Sequence, residues 1–270
     1  MVARAKVRRA EIIYTNHSIL VKICIMSLTL KVCLIVLALV ITYSVAQYLR
    51  SRHYAQIGIQ LAQQAVPYEQ HPANPTHHFL VIGDSTAVGT GASSPTDSTA
   101  GLLGNDYPTA DIVNKGVNGS RVADLTSRFS EFSDDEFDLV LIQIGGNDIV
   151  RFTNFTTLEA DLITVLTEAN RVGKQVVILH CGNFGTAKLL PLGSRWLFTQ
   201  RTAKLRSIYQ RLAPQYQAQY VDIWRLGDAD PFARDPSTYY ASDYFHPSSA
   251  GYADWYELTK QMLPEFPTTD

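Results

Sequence analysis

Cysteine is scarce in this chain, and the few cysteines form no recognisable pattern. Only three occur among the 270 residues, Cys24, Cys33 and Cys181. Two stand near the N-terminus and one stands in the body, so the body holds no pair for a disulfide. No C-x-x-C motif or Cys/His cluster indicates a zinc site. We therefore expect no disulfide framework, no metal and no other cofactor, and cysteine usage leaves the cellular compartment open.

A strong charge of either sign is also missing. The chain has 23 Lys and Arg against 25 Asp and Glu, a formal net charge of -2 at pH 7. Without a basic excess there is no electrostatic reason to expect nucleic acid as a partner. The composition, 46% hydrophobic and 18% charged, is that of an ordinary globular protein. The length fits one α/β domain of roughly 200 residues plus an appendage.

Long apolar runs are limited to one, near the N-terminus. Residues 32–46 (VCLIVLALVITYSVA) carry no charge, and the flank before them is basic. A basic flank stays in the cytoplasm, so this pattern predicts a membrane helix followed by an extracytoplasmic domain, periplasmic or extracellular. The run is shorter than the roughly 20 residues that a spanning helix usually needs. The basic residues of the flank are Arg4, Lys6, Arg8, Arg9, Lys22 and Lys31.

Other interpretations of the apolar run stay open. Ser44-Val45-Ala46 resembles the small-x-small cleavage site of a signal peptide, and a start at Met26 would give that peptide a usual length. Cleavage would release a soluble secreted protein beginning at Gln47. A buried core helix is a further alternative. We favour an uncleaved anchor over cleavage, and both place the globular part outside the cytoplasm.

The rest of the chain divides into a connecting segment and a body. Residues 1–50 hold the basic region and the transmembrane or signal segment. Residues 51–78 are polar and end in prolines, which predicts a helical stalk that continues into a linker. Residues 79–270 form the predicted globular domain.

Apolar β-rich runs alternate with helical patterns throughout the body. The runs are apolar along their whole length, so the strands are predicted to be buried on both faces. Such strands form a parallel sheet between two layers of helices. We predict a three-layer α/β/α domain with a central, mostly parallel five-stranded sheet. The predicted strands are 79–82, 112–113, 139–144, 176–179 and 220–223, and the predicted helices are 97–105, 121–129, 157–172, 196–213 and 249–262.

Polar and glycine-rich pieces follow the first three strands. Gly83-Asp84-Ser85 comes after the first, residues 116–120 after the second, and Gly145-Gly146-Asn147-Asp148 after the third. Ligands of open α/β sheets bind beyond the carboxyl ends of the strands. These three loops are therefore the place where a functional site is predicted.

Ser85 has the position of a nucleophile at a strand-to-helix turn. A serine hydroxyl reacts only when a base removes its proton, and the usual base is a histidine held in one tautomer by a carboxylate. Six of the seven histidines flank the apolar run, lie in the linker or end a strand, which leaves His246. Asp243 stands three residues before it, a spacing that lets the carboxylate reach Nδ1 while Nε2 points at the serine.

Four sequence blocks now make a resemblance specific. They are G-D-S-T at 83–86, N-x-x-x-x-G at 114–119, G-G-N-D at 145–148 and D-x-x-H-P at 243–247. Their content and order resemble the four blocks of the SGNH (GDSL-like) hydrolases over about residues 79–263. The resemblance implies a flavodoxin-like SGNH hydrolase fold and a serine hydrolase that acts on carboxylic esters.

The resemblance also assigns roles. It implies that Ser85 is the nucleophile, His246 the base and Asp243 the residue that orients the base. The backbone N–H groups of Ser85 and Gly119 and the side-chain amide of Asn147 would stabilise the oxyanion, which is often what accelerates acyl transfer most. One position departs from the family, because Asn118 stands where a serine is common. We expect its extra amide to hydrogen bond to the substrate.

The substrate is indicated only by class. A loop at residues 182–196 and a cluster before His246 are rich in apolar and aromatic residues, which would line an acyl pocket or simply pack over the domain. We predict short- to medium-chain acyl esters or lysolipids as substrates. Carbohydrate O-acetyl esters are the alternative within this class, and an inactive membrane-anchored binding module is the alternative outside it. The residues concerned are Phe184, Leu189, Leu190, Leu192, Trp196, Tyr239, Tyr240, Tyr244 and Phe245.

Overall fold

The structure, a computed structural model, describes residues 2–134 and 136–266. The side chains of residues 2–20 and 23–26 lie outside the described part, and with them Cys24 and most of the predicted basic flank. The last four residues of the predicted domain 79–270 also lie outside it. The chain divides into two compact units, residues 1–50 and residues 51–270.

The first unit consists of the larger part of helix α1, which runs from Val2 to Gln64. Ser27–Gln64 contains a stretch with a mean hydropathy of 2.3, and by length and composition it can cross a membrane. Its large apolar side chains are exposed, with Leu34 at 56%, Ile35 at 60% and Leu39 at 64%. A core helix would bury such side chains, so the segment has the character of a membrane span or a signal sequence.

The second unit holds the sheet and the remaining helices. The bounds of these elements are β1 His77–Gly83, α2 Ser85–Val88, α3 Thr99–Asp106, β2 Ala110–Gly116, α4 Val122–Phe129, β3 Leu139–Gln143, α5 Gly146–Val150, α6 Phe155–Val172, β4 Val176–Leu179, α7 Arg195–Gln215, β5 Ala218–Val221, α8 Pro231–Arg234, α9 Pro236–Tyr239 and α10 Ser249–Lys260.

The five strands form one parallel sheet in the order β2-β1-β3-β4-β5. Strands β3 and β4 are buried along their whole length, as is β1 from Phe79 onward. This confirms the predicted α/β class with a central five-stranded sheet. The chain passes from β1 to β2 on one side and then returns to β3 on the other. The strand order therefore reverses next to β1, and such a reversal opens a crevice at the carboxyl ends of the strands.

The structure differs from the sequence prediction most at the edges of the sheet. Strand β2 covers seven residues, whereas only 112–113 were predicted, because Asp111, Asn114 and Lys115 interrupt its apolar pattern. An edge strand needs only one well-buried face, so β2 tolerates Asp111 and Lys115 on its other face. The buried Asn114 is instead satisfied by a hydrogen bond to the carbonyl of Ala87. Helix α5 was not predicted at all, since a short segment that begins with glycine carries little helical signal.

Residues 51–64 of α1 pack against the body of the second unit. The Ser51 hydroxyl donates to the carbonyl of Leu189 at 2.8 Å. The Tyr54 ring meets Tyr244 edge to face, with 5.3 Å between the ring centroids. The predicted division at residues 51 and 79 stays a prediction, but this part of the predicted stalk is in contact with the globular body.

Candidate active site

Ser85 is the first residue of helix α2, directly after the end of β1. Asp84 caps the helix, since its Oδ1 accepts hydrogen bonds from the Thr86 N–H at 2.9 Å and from the Thr86 hydroxyl at 2.8 Å. The first N–H groups of a helix have no partner within the helix, so the Ser85 N–H is available to a ligand. The cap therefore fixes both the hydroxyl and the backbone donor of Ser85 at the crevice.

His246 and Asp243 lie in the loop between α9 and α10 and reach Ser85 from the other side. His246 Nδ1 lies 2.6 Å from Asp243 Oδ2, and His246 Nε2 lies 3.0 Å from Ser85 Oγ. A carboxylate can only accept, so Nδ1 carries the proton and Nε2 is free to accept from the serine hydroxyl. Asp243 is fully buried, and its Oδ1 accepts from the backbone N–H groups of Phe245 and His246, both at 3.0 Å.

The loops after β2 and β3 bring hydrogen-bond donors to the same place. Gly119 has φ +82°, a left-handed conformation that residues with a side chain rarely adopt. Asn147 Nδ2 donates to the carbonyl of Ser120 at 3.0 Å, which ties the two loops together. An amide nitrogen carries two hydrogens, so Asn147 retains one for a ligand. The structure thus brings together Ser85, Gly119 and Asn147 as the sequence predicted.

Buried polar contacts hold these loops in position. Asn114 Nδ2 donates to the carbonyl of Ala87 at 2.9 Å, which joins the loop after β2 to helix α2. Asp148 Oδ2 accepts from the Val122 N–H at 3.0 Å, which joins α5 to α4. Burial raises the pKa of Asp148 above its usual range. Asn114, the first residue of the block at 114–119, and Asp148, the last residue of the block at 145–148, therefore support the donors Gly119 and Asn147.

One cavity, here called the deep pocket, extends from Ser85 into the body. It has a volume of about 40 Å³. Phe184, Tyr240 and Phe245 line it, as the sequence indicated. Sequence reasoning missed further lining residues, because they lie far apart in the chain and carry no motif: Cys181, Ile223, Asp230, Phe232 and Trp255.

A second cavity, here called the outer groove, starts at the same serine and has a volume of about 240 Å³. One wall is the C-terminal part of α1, with Ala55, Ile59 and Ala62. Leu189, predicted as a pocket residue, also lines this cavity. No pattern in the sequence indicated that residues of the predicted stalk would reach the site. The remaining lining residues are Gly58, Ser85, Asn118, Gly119, Asn147, Asp243, Phe245 and His246.

Part of the predicted pocket lining lies elsewhere. Leu192 and Trp196 are 49% and 73% exposed, and neither lines the deep pocket or the outer groove. Leu190 is buried in the core. Asn118 is held within the protein, since its Oδ1 accepts from the Thr90 hydroxyl at 2.7 Å and its Nδ2 donates one of its two hydrogens to the carbonyl of Ala62 at 3.1 Å. Both polar atoms of this amide thus bond to the protein itself.

Asp84 is the most perturbed acid next to the serine. Its side chain is almost fully buried, and burial raises its pKa from 3.8 to about 6. The hydrogen bonds from Thr86 act in the opposite direction but are outweighed. The Asp84 carboxyl group therefore loses its proton only near pH 6, and in this structure its side chain caps helix α2.

Comparison with known proteins agrees with this geometry. The model of the GDSL-like lipase/acylhydrolase family matches residues 81–253. No curated protein matches the sequence. Similar solved structures include a catalytic mutant of an acetylxylan esterase from Geobacillus stearothermophilus, with 20% identity over 71% of this chain and 96% of that chain and a TM-score of 0.52.

Two further structures share the fold. A member of the lipolytic G-D-S-L family from Veillonella parvula is 16% identical over 68% of this chain and 96% of its own, with a TM-score of 0.54. An extracellular lipase from Streptomyces rimosus is 18% identical over 70% of this chain and 100% of its own, with a TM-score of 0.55. At these identities the structures support the fold, while the family match rests on the sequence. The chain belongs to the GDSL-like lipase/acylhydrolase family, a family of carboxylic ester hydrolases.

Proposed function

We propose that this protein is a serine esterase that cleaves short-acyl esters through an acyl-enzyme intermediate. The observation that carries the proposal is the chain of contacts from Asp243 to His246 to Ser85, at 2.6 and 3.0 Å. In this proposal Ser85 is the nucleophile, His246 the general base and Asp243 its orienting partner. The Ser85 and Gly119 N–H groups and the Asn147 amide bind the oxyanion.

The reaction proceeds in two halves. Ser85 Oγ attacks the ester carbonyl carbon while His246 Nε2 takes the hydroxyl proton, and the carbonyl oxygen becomes an oxyanion held by the three donors. Collapse of this intermediate breaks the bond to the alcohol oxygen, which receives the proton from His246. Water then attacks the acyl-enzyme in the same manner and releases the acid and free Ser85.

The two cavities at Ser85 suggest where the two arms of an ester bind. The alcohol must leave and water must enter before the acyl group departs, so the alcohol arm belongs on the open side, in the outer groove. The acyl arm then occupies the deep pocket, whose volume is about 40 Å³. A cavity needs roughly 10–15 Å³ to hold one water molecule, so the deep pocket accepts a group of about three non-hydrogen atoms. Acetyl and propionyl groups fit this space.

Fluorophosphonate labelling combined with an acyl-chain series tests the proposal. We expect the full-length protein to be labelled on the peptide that contains Ser85. We also expect kcat/KM for p-nitrophenyl esters to be highest for acetate or propionate and to fall steadily towards octanoate. Labelling without chain discrimination would contradict the acyl assignment, and absence of labelling and turnover would contradict the esterase itself.

Carbohydrate O-acetyl esters are the second candidate substrates, because the deep pocket accepts their acetyl group as well. Assays of acetylated xylooligosaccharides and of p-nitrophenyl acetate under the same conditions test this candidate, since both substrates release acetate and differ only in the alcohol. An inactive binding module is disfavoured, because a module without chemistry has no need for a serine, a histidine and a carboxylate in mutual hydrogen-bond contact.

We further propose that residues 32–46 of α1 anchor the protein and that the domain after it lies outside the cytoplasm. The apolar, exposed side chains of this segment and the basic residues before it support the proposal. Protease added to intact cells or spheroplasts should digest or release the domain, and N-terminal sequencing separates an anchor from cleavage after Ala46. Protection of the domain until lysis would contradict the proposed topology.

A further inference from the structure

Residues 51–64 of α1, here called the wall helix, stand outside the family match at 81–253 yet lie at the candidate catalytic serine. Four of its residues contact the globular body at helical spacing: Ser51, Tyr54, Gly58 and Ala62. Residues three or four apart share one face of a helix, so these contacts form a single stripe. The stripe runs from the carbonyl of Leu189 at one end to Asn118 at the other.

Gly58 is the point where the wall helix meets the proposed triad. It is buried against Asp243, and a methyl group at this position would lie 2.8 Å from Asp243 Oδ2. That oxygen is the partner of His246 Nδ1. In a helix, glycine is destabilising relative to alanine by roughly 0.5–1 kcal/mol, so propensity alone favours alanine here. The close approach supplies a physical reason for glycine at this position.

Asn118 fastens the end of the wall helix. The last carbonyls of a helix lack an intrahelical partner, and Ala62 stands two residues before the end of α1. The Asn118 amide donates to this carbonyl and is itself held by the Thr90 hydroxyl. Asn118 is also the residue that departs from the serine common in the family. The residue that departs from the family pattern therefore makes a hydrogen bond to the helix that lies outside the family match.

The outer groove lies between the wall helix and the catalytic loops. Ala55, Ile59 and Ala62 give the groove an apolar surface, and Leu189 adds to it. Ile59 is 58% exposed, so its side chain is accessible to an occupant of the groove. The groove begins at Ser85 and the three oxyanion donors, so its occupant is continuous with the reacting ester.

We infer that the wall helix is part of the active site, with Gly58 as a positioning residue for Asp243 and Ile59 at the centre of an apolar subsite for the alcohol arm. The inference rests on the proposed esterase function and extends it to the class of alcohol. The preferred substrates carry an alcohol with an aliphatic or aromatic segment next to the ester oxygen, rather than a bare sugar.

Acetate esters that differ only in the alcohol test the subsite. For Ile59→Asn in the full-length protein we expect KM for hexyl acetate to rise roughly five- to tenfold, the size expected when a few methylene contacts are lost. The constants for ethyl acetate should stay within twofold. Gln60→Asn is the matched control, because Gln60 is exposed and lies outside the groove. Equal losses on both esters, the same effect in the control, or a wild-type preference for acetylated sugar over hexyl acetate would overturn the inference.

A second pair of variants tests the positioning role. Gly58→Ala should lower kcat roughly ten- to hundredfold on every ester, with KM nearly unchanged, because the methyl group displaces the carboxylate that orients His246. The thermal midpoint should change by only a few degrees, since the helix propensity of alanine partly offsets the cost of displacing a buried carboxylate. Gly193→Ala is the control, because a methyl group there meets nothing within 4 Å.

The outcomes separate the two proposals. Wild-type kcat in Gly58→Ala, with normal stability, would overturn the positioning role while leaving the esterase intact. A wild-type protein that neither reacts with fluorophosphonate nor turns over any ester would instead contradict the proposed function.

Discussion

The two sides of Ser85 are built from different materials. On one side, the loops after β1, β2 and β3 and the loop before α10 supply the reacting groups, and each is held by buried hydrogen bonds such as that from Asn114 to Ala87. On the other side, the wall helix supplies mainly carbon surface and one hydrogen bond at each end. The loop side is suited to stabilise the charge of the transition state, and the helix side is suited to recognise the shape of the alcohol arm.

This difference predicts how substitutions divide. Changes on the loop side remove interactions that exist only in the transition state, so they should lower kcat. Changes among the groove residues of the helix remove contacts made equally to substrate and transition state, so they should raise KM for the matching alcohols. Gly58 is the expected exception, because a methyl group added there would press on Asp243 of the triad. The expected effects range from loss of nearly all activity to a modest change in stability.

Ser85→Ala should have the largest effect. It removes the nucleophile, so we expect ester hydrolysis to fall by roughly 10⁵–10⁶-fold. Fluorophosphonate labelling should disappear, while circular dichroism and the thermal midpoint stay close to wild type. Near wild-type turnover in the purified variant would show that another residue attacks the ester.

Asn147→Ala should act on kcat with little change in KM. One of three oxyanion donors is lost while nucleophile and base remain, so kcat should fall by roughly 10²–10³-fold. Labelling should become slow rather than absent. Steady-state kinetics on p-nitrophenyl acetate check this, and a rise in KM at constant kcat would mean that Asn147 only binds substrate.

Asn118→Ser restores the common family residue and should have a small, selective effect. The hydrogen bond to the Ala62 carbonyl is lost, so the end of the wall helix is held less firmly. We expect KM for hexyl acetate to rise about threefold, the scale of one modest hydrogen bond, with ethyl acetate unaffected. An equal loss of kcat on both esters would show that Asn118 supports the catalytic loops rather than the wall helix.

Asp84→Asn should change the stability of the fold rather than substrate recognition, and the change should develop as the pH rises from about 4 to about 6. The pKa of the buried Asp84 is raised to about 6, whereas an unfolded aspartate ionises near 3.8. Between these values the folded state holds the proton that the unfolded state has lost, so stability falls as pH rises from about 4 to about 6 and stays lower above. Asparagine cannot ionise and keeps an oxygen for Thr86.

Thermal melts at two pH values measure this effect. The variant should melt on the order of 5 °C above wild type at pH 8 and no higher than wild type at pH 4. The same gain at both pH values would show that burial of the charge is not the cause. Such a result would also weaken the view that the loop side tolerates a costly buried acid next to its nucleophile.

The chemical half of the site was predictable because its signals are local. Asp243 and His246 are three residues apart, and the glycine and asparagine of G-G-N-D follow directly on a strand. Local spacing fixes how two side chains of one loop can meet, and parallel strands bring their following loops to one edge. The same reasoning failed for Leu192 and Trp196, because apolar character alone does not show whether a loop residue lines a pocket, packs on the domain or stays exposed.

What the sequence by itself determined is the α/β class, the approximate position of the strands and the motif residues that lie next to Ser85. Only the tertiary structure decided what surrounds them. Ile223 and Trp255 line the deep pocket, and Gly58 contacts Asp243 across 185 positions of the chain. Such neighbours are set by how helices pack on the sheet, through many weak contacts that no short motif encodes. The volume left for the acyl arm and the face offered to the alcohol follow from that packing.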